Sequence, residues 1–327
     1  MRLGSLFGVI ATLLAIATST SVPAAGPDWP RSLTIGTASP GGLYYVYGDL
    51  IAQMLTQKLG LPVNAMSTQG SVHNIKLVEL GSAQLGLITM GVGLQGWNGG
   101  GDWTKGQKYR QMRALLPAYD NTFQFVALRR SGLTRVVDLD GKRAGIGPRA
   151  GTAAVYVPEI LKALGISAQY TNGSWDSNGA DLLAGHSDAV LAGIGVPFPA
   201  IQEVEAKEPL TFLNLSADEI ARVRKAIPEI TSSKIPGGTY KALTADYSTI
   251  GLFNFVIGRA DLSDDLVYQL VKTVHENQRE LVKRLPSAAE TVAENVDKNT
   301  FLPFHPGAVR YYRETGISIP EPLVPTN

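Results

Sequence analysis

Short apolar runs alternate with stretches whose apolar positions recur every three to four residues, from Leu33 almost to the C-terminus. The pattern predicts strands over 33–36, 62–66, 85–89, 143–146, 168–170, 189–192, 211–215 and 249–257. Helices are predicted over 43–59, 72–80, 153–164, 177–184, 200–204 and 217–226, with a long one over 262–285 and a short one within 304–316. Residues 112–119 and 123–128 read as two strands split by an Asp120-Asn121 turn. The Gly- and Trp-rich segment 91–107 reads as an exposed loop or flap pinned to the body by Trp97 and Trp103.

Such βαβα alternation argues for mostly parallel sheets with helices on both faces. A second α/β unit is inserted between the first and its C-terminal helices. The expected fold is therefore an α/β two-lobe clamshell, with lobe 1 from 26–120 and 245–327 and lobe 2 from 121–244. Each lobe would be a mixed, mostly parallel sheet flanked by helices. Crossings near 119–123 and 236–249 would form a two-segment hinge.

The first 25 residues depart from this pattern. Arg2 precedes an uncharged apolar run from Leu3 to Ala17, and Val22-Pro23-Ala24-Ala25 offers small residues for cleavage. This reads as a secretory signal cut after Ala24 or Ala25, which predicts a periplasmic location. The absence of cysteine excludes disulfides, thiol nucleophiles and thiolate metal sites. Without Arg2 the chain carries 28 basic and 28 acidic residues, so no nucleic-acid or anionic-membrane partner is expected. With 44% hydrophobic residues it has ample apolar content for two cores.

Enzyme signatures are mostly missing. His73, His186, His275 and His305 are not at zinc spacing, and neither a G-x-S-x-G elbow nor a Walker A loop occurs. His275 reads as a surface residue of the long helix. Asp138 and Asp140 flank Gly141 and read as solvated turn residues. No cofactor or metal is expected.

What recurs is a turn of small residues between strand and helix: 39–42, 67–71, 147–152 and 193–198. Each serves equally as an ordinary βα connection. Together they would line the carboxyl ends of the strands, where open α/β sheets bind ligands, and the helix N–H groups there can hold a carboxylate or phosphate. The candidate ligand-binding residues are Gly41, Gly42, Tyr44, Ser71, Asn74 and Thr89 on the first lobe. On the second they are Arg149, Gly151, Thr152, Gly195 and Phe198. Arg149 either takes a ligand carboxylate bidentately or faces solvent.

Thr37-Ala38-Ser39-Pro40-Gly41-Gly42-Leu43-Tyr44-Tyr45 resembles the T-G-x-x-G-G-T-Y-Y opening of the TAXI solute-binding proteins of TRAP transporters. Ser67 to Asn74 and Glu79 to Leu87 resemble that family's S-x-G-S/A-x-x-N and G-x-A-D-L-G segments. Asp138 to Arg143, Gly151-Thr152, Ile235 to Tyr240 and Leu266-Val267-Tyr268 match its later segments. The resemblance implies a monomeric, non-catalytic periplasmic receptor. Such a receptor hands a small organic acid or amino acid, such as glutamate, glutamine or 2-oxoglutarate, to an ion-gradient-driven membrane permease. Leu43 stands where the family commonly has threonine. Arg149 would favour a second carboxylate, hence an acidic amino acid or dicarboxylate. The competing readings are a sensor that serves a signalling partner and an exported α/β hydrolase or lyase.

Overall fold

The structure, a computed structural model, describes residues 26 and 28–325; the expected export signal lies outside the described residues. The first lobe is laid down as β1 (Leu33–Gly36), α1 (Leu43–Leu59), β2 (Val63–Met66), α2 (Ser71–Leu80), β3 (Leu85–Thr89) and α3 (Met90–Asn98). The strand β4 (Met112–Leu128) then carries the chain into the second lobe. There follow β5 (Arg143–Gly145), α4 (Thr152–Ala163), β6 (Gln169–Thr171), α5 (Trp175–Ala184) and β7 (Ala189–Ile194). The lobe continues with α6 (Pro199–Glu205), β8 (Leu210–Phe212), α7 (Ala217–Ala226) and β9 (Thr231–Ile235). The return strand β10 (Tyr247–Arg259) leads to α8 (Asp264–Glu276), α9 (Gln278–Arg284) and α10 (Pro306–Glu314) on the first lobe.

All ten strands form one mixed sheet, ordered β2-β1-β3-β10-β4-β7-β5-β6, with β8 on β4 and β9 on β10. Parallel ladders join β1 to β2 and β3, and β5 to β6 and β7. The long strands β4 and β10 pair antiparallel and run through both lobes. The first part of β4 lies on β10 and its second part on β7, and the exchange falls at Asn121–Thr122. Residues 247–251 of β10 pair with β9, and 254–258 pair with β3. The two-lobe clamshell is thus built on two continuous strands.

Asp120-Asn121 is accordingly no turn. The strand tolerates both polar residues because successive side chains face opposite ways. Asn121 faces the cleft. Asp120 is met on the other face by the hydroxyls of Ser233 and Thr122, while its N–H donates to Glu290 Oε2 at 2.6 Å. The second crossing lies inside β10, at 251–254, rather than in the 236–249 connection. Register shifts at Phe253/Phe255 and Val256/Ile257 break the ladder just beyond it, opposite Pro117, which has no N–H to donate.

The first half of the Gly- and Trp-rich segment is also no flap: Gly91–Asn98 belongs to the helix α3, and only 99–107 is irregular, with a short 3-10 turn at Asp102–Thr104. The α3 glycines admit close neighbours, with Tyr156 and Leu252 against Gly91, Ile88 and Phe301 against Gly93, and Trp103 against Gly96. Trp103 donates to Gln95 Oε1 at 2.9 Å, and the Arg110 guanidinium covers the Trp97 ring at 4.1 Å. Asp138 is not a solvated turn residue: half-buried in a short 3-10 helix, Val136–Leu139, it accepts from the Thr134 and Arg135 N–H groups, whereas Asp140 is exposed.

The predicted long C-terminal helix breaks at Asn277, whose N–H closes α8 onto Thr273 O and whose φ of −110° starts α9. In α8 the Ser263 hydroxyl caps the Leu266 N–H, and Leu266, Val267, Leu270, Val271 and Val274 bury one stripe. His275 is not a surface residue either. It is half-buried, stacked on Tyr311 at 5.5 Å, with Nε2 3.2 Å from Tyr312 Oη. Since Tyr312 Oη donates to Leu115 O at 2.9 Å, the His275 N–H donates to it.

Burial pulls the His275 pKa down to about 4, from 6.5 in an unfolded chain. The unfolded state therefore takes the proton first, and stability falls as pH drops from about 6.5 towards 4, by up to about 3 kcal/mol. His275→Gln keeps a donor without a titrating ring. Urea midpoints at pH 7 and 4.5 are expected to differ less in this variant than in the wild type. An equal decline in both would show that His275 carries none of the acid sensitivity.

Candidate functional site

Three helices point their N-termini into the space between the lobes: α1 and α2 from the first lobe, α4 from the second. Their N-caps are Gly42, Gly70 and Gly151, and none has a side-chain cap. The α5, α7, α8 and α10 caps, by contrast, are Ser174, Ser216, Ser263 and His305, each accepting from a first-turn N–H. An uncapped N-terminus leaves N–H groups and the positive end of the helix dipole open to a ligand. Glycine at these positions also lets the lobes meet backbone to backbone. Gly70, at φ +100°, lies against Gly151 so closely that a Cβ would come 3.1 Å from its Cα. The Val72 N–H donates across the cleft to Ala150 O at 3.0 Å.

At the first turns of these helices sits a buried hub of hydroxyls. Tyr44 Oη donates to Asn254 Oδ1 at 2.6 Å and lies 3.0 Å from Thr89 Oγ1. Thr89 Oγ1 donates to the same Asn254 oxygen at 3.1 Å, and the Thr89 N–H donates to Ser71 Oγ at 3.0 Å. From the other lobe, Thr152 Oγ1 reaches Thr89 Oγ1 at 2.6 Å and Ser71 Oγ at 3.1 Å. Because Thr89 donates to Asn254, Thr152 donates to Thr89, and Ser71 Oγ lies within reach of both threonine hydroxyls. The β-sheet sets this up, because Asn254 on β10 lies opposite Thr89 on β3 in the ladder. Burial pushes the Tyr44 phenol above its ordinary range, so it stays a neutral donor.

Around the hub the closed cleft leaves a cavity of about 30 Å³, room for about one water. The first lobe contributes Ala38, Gly42, Leu43, Tyr44, Gln69, Gly70 and Ser71 to its lining. Across it lie Asn121, Pro148, Gly151, Thr152, Trp175, Gly193 and Ile194. No lining side chain is charged.

Of the residues expected from the sequence, Gly42, Tyr44, Ser71, Gly151 and Thr152 line this cavity, and Thr89 stands directly behind it. Gly41 lies at the rim, where a Cβ would overlap the Asp176 carboxylate of the other lobe. Gly195 makes room for Leu43 and Tyr119. Phe198 backs the cavity wall from behind Trp175, the rings edge to face at 5.2 Å. Asn74 is turned inward: Nδ2 donates to Thr37 O and Leu87 O, and Oδ1 accepts from Thr68. Arg149 is exposed, with no hydrogen bond or ion pair among the described residues, and does not line the cavity.

Sequence reasoning passed over Asn121, Trp175 and Asn254. Asn254 had a signal, a lone amide inside the apolar run 249–257. Asn121 was hidden by its reading as a turn residue. Trp175 carried none beyond following the N-cap Ser174.

The NMT1-like family model matches residues 35–316, and the chain belongs to that family. In fold it is similar to MatC from Rhodopseudomonas palustris with bound malate, at 12% identity, over 83% of this chain and 92% of that one, TM-score 0.58. It is similar also to an R. palustris protein with adipate, at 16% identity over 77% and 84%, TM-score 0.53. A third is the alkanesulfonate-binding protein SsuA from Xanthomonas axonopodis pv. citri bound to MOPS, at 17% identity over 87% and 84%, TM-score 0.50. These likenesses show the fold, that of the periplasmic solute-binding proteins.

Thr152→Val removes the hydroxyl that ties the second lobe to the hub and keeps the side-chain shape. It is expected to lower stability by about 1 kcal/mol and to increase the radius of gyration in solution scattering, while Thr152→Ser retains the wild-type curve. A scattering curve unchanged in Thr152→Val would show that this bond does not hold the lobes together.

Proposed function

We propose that this NMT1-like chain is a solute receptor of the TAXI type. It captures a small carboxylate-bearing solute between its lobes in the periplasm and delivers it to a TRAP-type, ion-gradient-driven permease. The observation that carries this reading is the junction itself. A neutral hydroxyl hub and three glycine-capped helix N-termini come together only where the two lobes meet. Oxyanions are held by such helix ends without a charged side chain.

The fold neighbours support the class of ligand, since malate, adipate and MOPS are all anions. A hydrolase or lyase finds less support. The Ser71, Thr89 and Thr152 hydroxyls contact one another, Tyr44 and an amide, with no histidine or carboxylate among their hydrogen-bond partners to act as base. Flexing of β4 and β10 at their crossing would open the cleft. A ligand oxygen would then take the place of Thr152 against the hub before closure, and the permease would read the closed form. With Arg149 at the surface, the preference for a second carboxylate loses its supporting residue.

The test is a thermal-shift screen of residues 26–327 against hydroxy, oxo, mono- and dicarboxylic acids, amino acids and sugars. A ligand at a hundred times its dissociation constant adds about 2.7 kcal/mol. Ser71→Ala is expected to weaken the responding acid by about 1–3 kcal/mol. Arg149→Ala is expected to leave it unchanged, because no buried carboxylate is orphaned by its removal. Silence from every carboxylate, or a loss in Arg149→Ala equal to that in Ser71→Ala, would overturn this account of the site.

A further inference from the structure

No side chain that lines the interlobe cavity is charged, so the field there is set by helix dipoles. The lining contains neither aspartate nor glutamate, and the helix ends that converge on it, those of α1, α2 and α4, all present their positive poles. A second observation points the same way. Asn121 lines the cavity, is 2% exposed, and its Nδ2 has no hydrogen-bond partner. The amide lies beside Gly193, where a Cβ would come 3.2 Å from Nδ2, so a glycine in β7 makes the space it occupies. A buried donor without an acceptor is costly, and an acceptor atom of a ligand would satisfy it. Asp176 lies at the rim over Gly41 and is exposed, so its charge is spent in water.

From this we infer that the receptor excludes protonated amines: its solute is a carboxylate or related oxyanion without an ammonium group, and α-amino acids are rejected. The inference rests on the receptor reading and narrows it, since glutamate and glutamine fall away. An ammonium brought into the closed cleft would lose its hydration with no anion to meet it. It would also sit before three positive dipole ends. A carboxylate at the same place can accept from the hub hydroxyls and from Asn121 Nδ2. A hydroxyl or keto group beside the carboxylate gains from the hub, because neutral hydroxyls can both donate and accept.

Matched pairs that differ in the amine test this by calorimetric titration: lactate against alanine, succinate against aspartate, 2-oxoglutarate against glutamate. In any pair with a binding member, the amine-free acid is expected to bind at least about thirtyfold more tightly, near 2 kcal/mol. Asn121→Asp places an acceptor carboxylate at the orphaned amide. It is expected to weaken that acid at least about tenfold and to narrow the gap between the members of the pair. An amino acid that binds the wild type as tightly as its partner acid overturns the exclusion and leaves the receptor reading standing. Silence from both members of all pairs overturns the exclusion and the carboxylate receptor together.

Discussion

The structure depends on the antiparallel pairing of β4 with β10. Each strand contributes one end to each lobe, so a single ladder holds together two α/β units that otherwise have separate helices and separate parallel strands. Where they cross, Gly251 of β10 lies between Thr122 of β4 and Thr231 of β9. Having no side chain, it lets the Asp120 carboxylate reach the Ser233 hydroxyl over its backbone. The hinge is therefore a stretch of sheet with reduced side-chain packing, broken in register and braced by polar contacts on the face away from the cleft. Such a stretch can bend without unpairing, whereas two loops would leave the lobes free to rotate in any direction.

Closure of this hinge decides the chemistry of the cleft. The hub residues are individually ordinary: three hydroxyls, a phenol and an amide. Brought together out of water, their hydroxyls and the Asn254 Oδ1 satisfy one another, and in low dielectric each bond polarises the next, while Asn254 Nδ2 has no partner among the described residues. Burial keeps the Tyr44 phenol protonated, so the hub carries no charge at neutral pH. On the receptor reading proposed above, a neutral hub suits release as well as capture. A buried arginine would hold an anion more strongly but would leave an uncompensated charge whenever the site emptied.

Most of the fold was legible in the alternation of short apolar runs and helical periods, which located α1, β3 and α7 to the residue. The misreadings share a cause. Asp120-Asn121, Gly91 to Asn98 and the uninterrupted pattern through Asn277 were each interpreted by local composition, and tertiary packing decided otherwise. Polar residues in β4 are paired by side chains from distant segments, and the glycines of α3 are contact points for Tyr156, Ile88 and Trp103. The site was half legible. Glycine-rich strand-to-helix turns marked Gly42, Tyr44, Ser71, Gly151 and Thr152, because the need for open helix ends is written locally. Whether Asn74 or Arg149 faces the cleft depends on side-chain direction, which the turn signature leaves open. Asn74 sits one turn into α2 and folds back to hold β1 and β3 together.

The contrast in helix caps shows how function and stability divide the chain. Away from the cleft, α7, α8 and α10 carry serine or histidine caps, and α7 adds a full capping box through Glu219; α5, whose first residue Trp175 lines the cavity, keeps a serine cap as well. The other three helices that start at the cavity, α1, α2 and α4, have glycine there. Exchanging a serine cap for glycine costs only a few tenths of a kcal/mol, whereas alanine costs about 1 kcal/mol. Glycine frees the first-turn N–H groups at little expense to the fold and leaves no side chain to keep the lobes apart. The same residue choice thus leaves these helix ends without a side-chain cap and permits the Gly70–Gly151 contact that closes over them. A serine there would cap its own helix and, on the proposed reading, compete with the solute for the same N–H groups.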